Sequence, residues 1–157
     1  MIRLGKLTDY AIVVMVQLAR EGAAAARSAS QLAEVTALPE PTVAKVLKTL
    51  LKAGFVSSQR GAQGGYKLAR DAESVTIRDI IEAVDGPIAI VTCVEGSQDH
   101  CQAEAQCPTR GKWEPVNNAI RTALHGITLA DMAGEAPSQP ERPQLVQVSW
   151  PEIREKR

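Results

Sequence analysis

Leu38-Pro39-Glu40-Pro41-Thr42-Val43-Ala44-Lys45-Val46-Leu47-Lys48-Thr49-Leu50-Leu51-Lys52-Ala53-Gly54 runs straight into Phe55-Val56-Ser57-Ser58-Gln59-Arg60-Gly61-Ala62-Gln63-Gly64-Gly65-Tyr66-Lys67-Leu68-Ala69-Arg70. Val43, Val46, Leu47, Leu50 and Leu51 recur at helical spacing and make one apolar stripe, on a helix that Pro41 can open and Gly54 can close. The opposite face carries Thr42, Lys45, Lys48 and Lys52, a polar start followed by a basic ladder. Phe55–Gln59 and Tyr66–Ala69 read as two strands joined by the glycine-rich turn Arg60–Gly65. A helix followed at once by such a hairpin is a winged-helix pattern, so the expected class is mainly α with a winged helix-turn-helix.

Charge is sorted along the chain. Overall it is neutral, with 18 Lys and Arg against 18 Asp and Glu, yet Pro41–Arg70 holds six basic residues (45, 48, 52, 60, 67, 70) and no acid. From Asp71 to Cys107 the balance reverses, with eight acids (71, 73, 79, 82, 85, 95, 99, 104) against Arg78. A polyanion is attracted by the first segment and repelled by the second. A lysine-rich helix face by itself is often only a solvated surface. Here it precedes a hairpin with Arg60 beside three glycines, and the pair points to double-stranded DNA. Thr42, Lys45 and Lys48 are expected in the major groove. Arg60, with Gly61, Gly64 and Gly65 in the wing, is expected at the adjacent minor groove or backbone. Glycine permits both the turn and a close approach.

The length of 157 residues suits one domain with an appendage, and 45% hydrophobic content with only 3% aromatic residues predicts an aliphatic core. The opening residues lack a secretory signal, and the longest fully apolar run, Ala11–Val16, is too short to cross a bilayer. A cytoplasmic protein with no membrane partner and no small-molecule substrate is expected.

Residues 1–86 read as the DNA-binding domain. Leu7–Arg20 should be its first helix, with Thr8 or Asp9 near the start to cap it. Tyr10–Val16 is apolar all round, which implies burial against its own domain and a second subunit. Ser28 and Gln31 form a capping-box pattern for a helix through Thr36, with Leu32, Ala33 and Val35 as its contacts, and Ala37-Leu38-Pro39 turns into the recognition helix. Thr76 and Asp79 start another helix with Ile77, Ile80, Ile81 and Val84 on its apolar face, which Gly86-Pro87 stops. Residues 87–110 show no useful periodicity. Residues 111–133 should hold a long C-terminal dimerisation helix, Lys112–His125, with Trp113, Val116, Ile120, Ala123 and Leu124 on one side, then a last turn from Thr128 and Asp131 through Met132. Residues 134–157, rich in Pro, Gln, Glu and Arg, read as a flexible tail.

Cys93, Cys101 and Cys107 all lie in the 87–110 loop, separated by seven and five residues, with Asp99, His100 and Glu104 among them. No Cys-x-x-Cys occurs, so this is not a zinc-finger pair, and structural disulfides are not expected in a reducing compartment. Three thiolates suit an iron–sulfur cluster, zinc with one further ligand, or thiol redox sensing, and they can also be inert. A thiol or metal hydrolase using Cys101 with His100 or His125 rests on residue types alone, since there is no nucleophile elbow, and no enzyme is expected.

Taken together, the chain resembles the winged-helix regulators typified by the Isc operon repressor and the nitric-oxide-sensing repressor. The resemblance covers about residues 1–133. It rests on Leu7-Thr8-Asp9-Tyr10-Ala11, on Val56-Ser57-Ser58 running into Arg60-Gly61 and Gly64-Gly65-Tyr66, on the three-cysteine loop and on Ile127-Thr128-Leu129. Leu38-Pro39-Glu40-Pro41-Thr42-Val43 is most like the branch that controls the Suf iron–sulfur assembly operon. The resemblance implies a homodimer on a palindromic operator, repression of iron–sulfur assembly genes, and a [2Fe-2S] or [4Fe-4S] cluster held by Cys93, Cys101 and Cys107. Same-fold relatives sensing nitric oxide, thiol oxidation or a small molecule are the alternative. Three departures stand out. Arg110 occupies the place of the Isc-type histidine ligand, which brings forward Asp9 from the partner subunit, matching the nitric-oxide-sensing type, with His100 and Glu104 as local candidates. The interval between the first two cysteines is longer than in either type, and Ala44 replaces a base-reading acid.

Overall fold

Pro41 sits in the first turn of a helix whose amide there needs no partner, and from it Glu40–Lys52 winds with Val43, Val46, Leu47 and Leu50 on one side, each no more than 1% exposed. This computed structural model describes residues 3–22, 25–61, 64–97 and 99–134. The expected tail, apart from Gly134, and wing residues Ala62 and Gln63 lie outside them. The helices are α1 (Lys6–Glu21), α2 (Ala29–Thr36), α3 (Glu40–Lys52), α4 (Ile77–Asp85), α5 (Glu114–His125) and α6 (Leu129–Ala133), and Val56–Gln59 and Gly65–Leu68 form strands β1 and β2. The architecture is mainly helical with a small two-stranded sheet, as expected.

Helix α1 is the axis of the fold and packs on α2, α3, α4, α6 and β2. Ala11, Val14 and Met15 are fully buried, while Val13 turns outward at 37% exposure. Its own domain thus covers most of the apolar girth read from Tyr10–Val16. The cap differs from expectation. Gly5 is the N-cap and no side chain among the described residues caps the helix; Thr8 faces the core, its hydroxyl without a hydrogen-bond partner among the described residues, and Asp9 lies exposed in the first turn.

The Ser28 capping box forms, with the Gln31 amide N–H donating to Ser28 Oγ at 3.2 Å and the Ser28 N–H donating to Gln31 Oε1 at 2.9 Å. Val35, expected as a core contact, is 57% exposed, because the eight-residue helix leaves only Leu32 and Ala33 facing α3. Ala37 then takes a left-handed φ of 56° to swing the chain into α3. Leu51 is also a correction. At 40% exposure it flanks the α3 stripe rather than filling it.

The hairpin pairs Val56 with Leu68 and Gln59 with Gly65. Each strand begins one residue from its expected start, and Phe55, just outside β1, is buried instead. A single antiparallel bridge from Arg27 joins its outer edge, as Tyr66 N–H donates to Arg27 O at 2.7 Å and Arg27 N–H to Tyr66 O at 2.9 Å. Arg27 in turn pairs with Glu21 at the end of α1. Burial works to raise the Glu21 carboxyl, but hydrogen bonds from Gln17 and Arg27 and the Arg27 charge outweigh it and hold it below its ordinary range.

Two further capping boxes face each other. Thr76 and Asp79 open α4 and Thr128 and Asp131 open α6, both as read from the sequence. Ile77 N–H donates to Ile127 O at 2.9 Å and Leu129 N–H to Val75 O at 2.7 Å, so the two helix starts are bridged. Burial would raise Asp79, yet the Thr76 hydroxyl and amide, with His125 and Arg78 nearby, hold it low. Helix α5 starts at Glu114, two residues later than expected, and Trp113, Val116 and Ala123 are exposed on its predicted apolar side.

Candidate nucleic-acid interface and cysteine loop

Because Val43, Val46, Leu47 and Leu50 are locked into the core, the helical period turns Lys45 and Lys48 to the outside. Both are exposed, Thr42 is half-buried in the first turn, and Lys52 extends the row. A cleft along this face is lined by Lys45, Lys48, Thr49 and Lys52. A second joins Thr42 and Lys45 to Lys6, Leu7 and Tyr10 of α1. Lys6 therefore belongs to the same basic surface, a residue that sequence reading missed because it lies on another helix. Arg70, counted with the basic segment, does a different task. Its guanidinium lies 4.8 Å from the centre of the Phe55 ring and its Nη2 reaches Ala53 O at 3.5 Å, at the base of the wing.

Arg60 is exposed at the end of β1. The wing glycines differ from one another. Gly61 has a φ of 117° and nothing within 4 Å of the place a side chain would take, so it faces open space. At Gly64 a Cβ would sit 2.4 Å from Gln59 O, and at Gly65 it would meet the Arg27 backbone at 2.5–2.8 Å. Both glycines are required inside the protein, Gly64 where the hairpin folds back on its own backbone and Gly65 where the wing is pressed on the backbone of Arg27.

The chain entering the cysteine loop is held to α5. Asn117, fully buried, accepts from Ile90 N–H through Oδ1 at 3.1 Å and donates to Ile88 O through Nδ2 at 3.0 Å. One turn earlier, Glu114 Oε2 accepts from Glu95 N–H at 3.0 Å. Neither was singled out from sequence, since their partners lie 19 to 29 residues away. Cys93, Cys101 and Cys107 are each half-buried and none is in a disulfide. Cys107 Sγ lies 3.2 Å from Thr109 Oγ1. His100 is exposed. Among the described residues no three His, Cys, Asp or Glu side chains converge as a metal site would need. The donor chemistry fits a soft metal centre, three thiols on one loop with little regular structure, and gathering them requires the loop to close.

Residues 4–135 match the family model Rrf2, described as an iron-dependent transcriptional regulator. The chain is 29% identical over 132 residues to the transcriptional regulator CymR of Bacillus subtilis, spanning 84% of this chain and 90% of that one. It is 32% identical over 130 residues to the regulator IscR of Vibrio parahaemolyticus, spanning 81% and 76%. Among solved structures it resembles IscR of T. potens, with a TM-score of 0.64, 34% identity and coverage of 83% and 85%. It also resembles CymR, the global cysteine regulator of B. subtilis, with a TM-score of 0.68, 30% identity and coverage of 85% and 97%.

Proposed function

The chain belongs to the Rrf2 family of DNA-binding transcriptional regulators, and on that premise we propose that it is a homodimeric repressor of iron–sulfur assembly genes that reports cluster supply through Cys93, Cys101 and Cys107. The observation that carries the DNA-reading half is the division of α3, with four core residues on one side and the exposed Lys45–Lys48 row on the other. Thr42, Lys45 and Lys48 read the major groove; Lys6 and Lys52 flank them on the phosphates. Arg60 and Gly61 form the wing tip toward the neighbouring groove, and Gly64 and Gly65 hold the tip in place.

Residues 87–110 act as the sensing loop. The thiolates of Cys93, Cys101 and Cys107 hold the cluster, and Asp9, exposed on α1, is the donor a partner subunit can offer. The cluster, when bound, supplies a centre whose loss reports oxidant or iron shortage. Asn117 and Glu114 tie the loop to α5, whose exposed Trp113 and Val116 form the dimer contact, so the loop's state shifts the spacing of the two reading heads.

A second reading keeps the regulator and changes the signal to thiol oxidation. It is favoured by the absence of a converged ligand set among the described residues. Anaerobic absorption with iron and sulfide analysis separates the two. Charge-transfer bands with matching iron and sulfide support the cluster, and a triple Cys→Ser variant with unchanged operator affinity in iron-replete and iron-starved conditions removes the cluster-sensing claim.

A further inference from the structure

Lys6 and Tyr10 stand one turn apart on α1, and Thr42 and Lys45 stand three residues apart on α3, so each pair shares a face of its helix. The two faces meet in the cleft of about 400 Å³ that Leu7 and Pro41 complete. Its polar side chains, two ammonium groups and two hydroxyls, can all donate to an anion. Asp9 and Glu40, the acids in the first turns of the same two helices, do not line it. Tyr10 is half-buried and packs against the hydrophobic core, which anchors its ring. Among the described residues neither its hydroxyl nor that of Thr42 takes part in a hydrogen bond. A phenol placed in this way commits its apolar body to the core and keeps its donor for a partner outside. The α3 wall of the cleft belongs to the face read above as entering the major groove. The α1 wall stands beside it, where the sugar–phosphate strand that rims the groove passes, since the helix preceding a recognition helix crosses the backbone.

We propose that Tyr10 is a phosphate contact: its hydroxyl donates to a backbone phosphate oxygen of the strand rimming the groove, beside the Lys6 ammonium, and so sets the register at which α3 enters. A lysine alone attracts the polyanion without fixing a position, because its charge sits on a flexible stem. A ring anchored in the core holds one donor at one place. The inference rests on reading α3 as the groove helix and adds to it a neutral donor from α1.

The full chain selects a duplex from a random pool, and its affinity for that duplex is followed by fluorescence anisotropy across a salt series. Tyr10→Phe removes one oxygen and no hydrogen bond among the described residues, so its urea midpoint should match wild type. Its affinity should fall about tenfold, the lower end for a hydrogen bond to a charged group. The slope of log K against log salt should stay as in wild type, because a neutral donor releases no counterion, whereas Lys6→Ala should lower it by about one. Single methylphosphonates then neutralise the DNA backbone one position at a time. At the contacted position the methylphosphonate and Tyr10→Phe should together cost less than the product of their separate factors. Equal affinity of wild type and Tyr10→Phe overturns the proposal, as do losses that multiply at every position, and both results leave the groove reading of α3 standing. A urea midpoint that falls along with affinity makes the hydroxyl structural and overturns it too. A wild-type chain that enriches no duplex overturns the groove reading and this contact with it.

Discussion

Asn117 is the buried polar side chain on which the attachment of the cysteine loop depends most directly. Replacing it with Ala leaves Ile90 N–H and Ile88 O without partners, and each such group costs about 1–3 kcal/mol when it stays dry. Ile88 and Ile90 are half-buried, so water reaches part of the site and the lower half of the summed range applies, about 2–4 kcal/mol. With a urea m-value of about 2 kcal/mol/M, the midpoint of unfolding should fall by about 1–2 M with m unchanged. Asn117→Asp makes the test sharper. The carboxylate can still accept from Ile90 N–H but sets oxygen against Ile88 O, so at neutral pH it should be at least as damaging as Ala. Acidification, which restores an O–H donor toward Ile88 O, should recover part of the loss relative to Ala at the same pH. An Asn117→Ala variant within about 0.5 kcal/mol of wild type, the scatter of ordinary surface changes, would refute the clamp.

Lys48→Ala should weaken binding to all duplexes alike and lower the slope of log K against log salt by about one, and an unchanged slope excludes a phosphate contact there. Gly65→Ala drives a Cβ into the Arg27 backbone and should destabilise by about 1–3 kcal/mol or displace the wing, whereas Gly61→Ala, with open space but φ of 117°, should cost only backbone strain of about 1 kcal/mol; urea melts of the two variants rank them. Asp79 titrates below its unfolded value, so its contribution is present above the ordinary carboxylate range and is lost as pH falls through the lowered folded value. Asp79→Asn should therefore flatten the acid limb of a stability profile, and an unaltered limb would contradict that assignment.

Local signals were legible from sequence. Each of the three capping boxes, at Ser28, Thr76 and Thr128, needs only two residues three apart, and each forms. The α3 stripe and the two strands follow from periodicity and glycine placement in the same way. What escaped reading depends on partners distant in the chain. Asn117 looks like any helical polar residue until Ile88 and Ile90 are brought beside it, and Lys6 joins the basic surface only because α1 crosses the start of α3. Val35 and Leu51 satisfy the helical period, yet no neighbour arrives to cover them in the single chain. At the cysteine loop, residue types indicate the chemistry, but irregular backbone carries no period from which to place the three sulfurs.

The hydrogen bond from Glu95 to Glu114 joins two residues nineteen apart and closes the cysteine loop at its root. A loop sealed there can change length without altering what lies beneath it, since each doubling costs only about 0.6 kcal/mol in closure entropy. The stretch from Glu95 to Cys101, inside the seal, is thus free to change length, or to be redesigned with inserted donors, while the helices outside it keep their sequence. The fold separates a fixed helical chassis from an interchangeable cysteine loop.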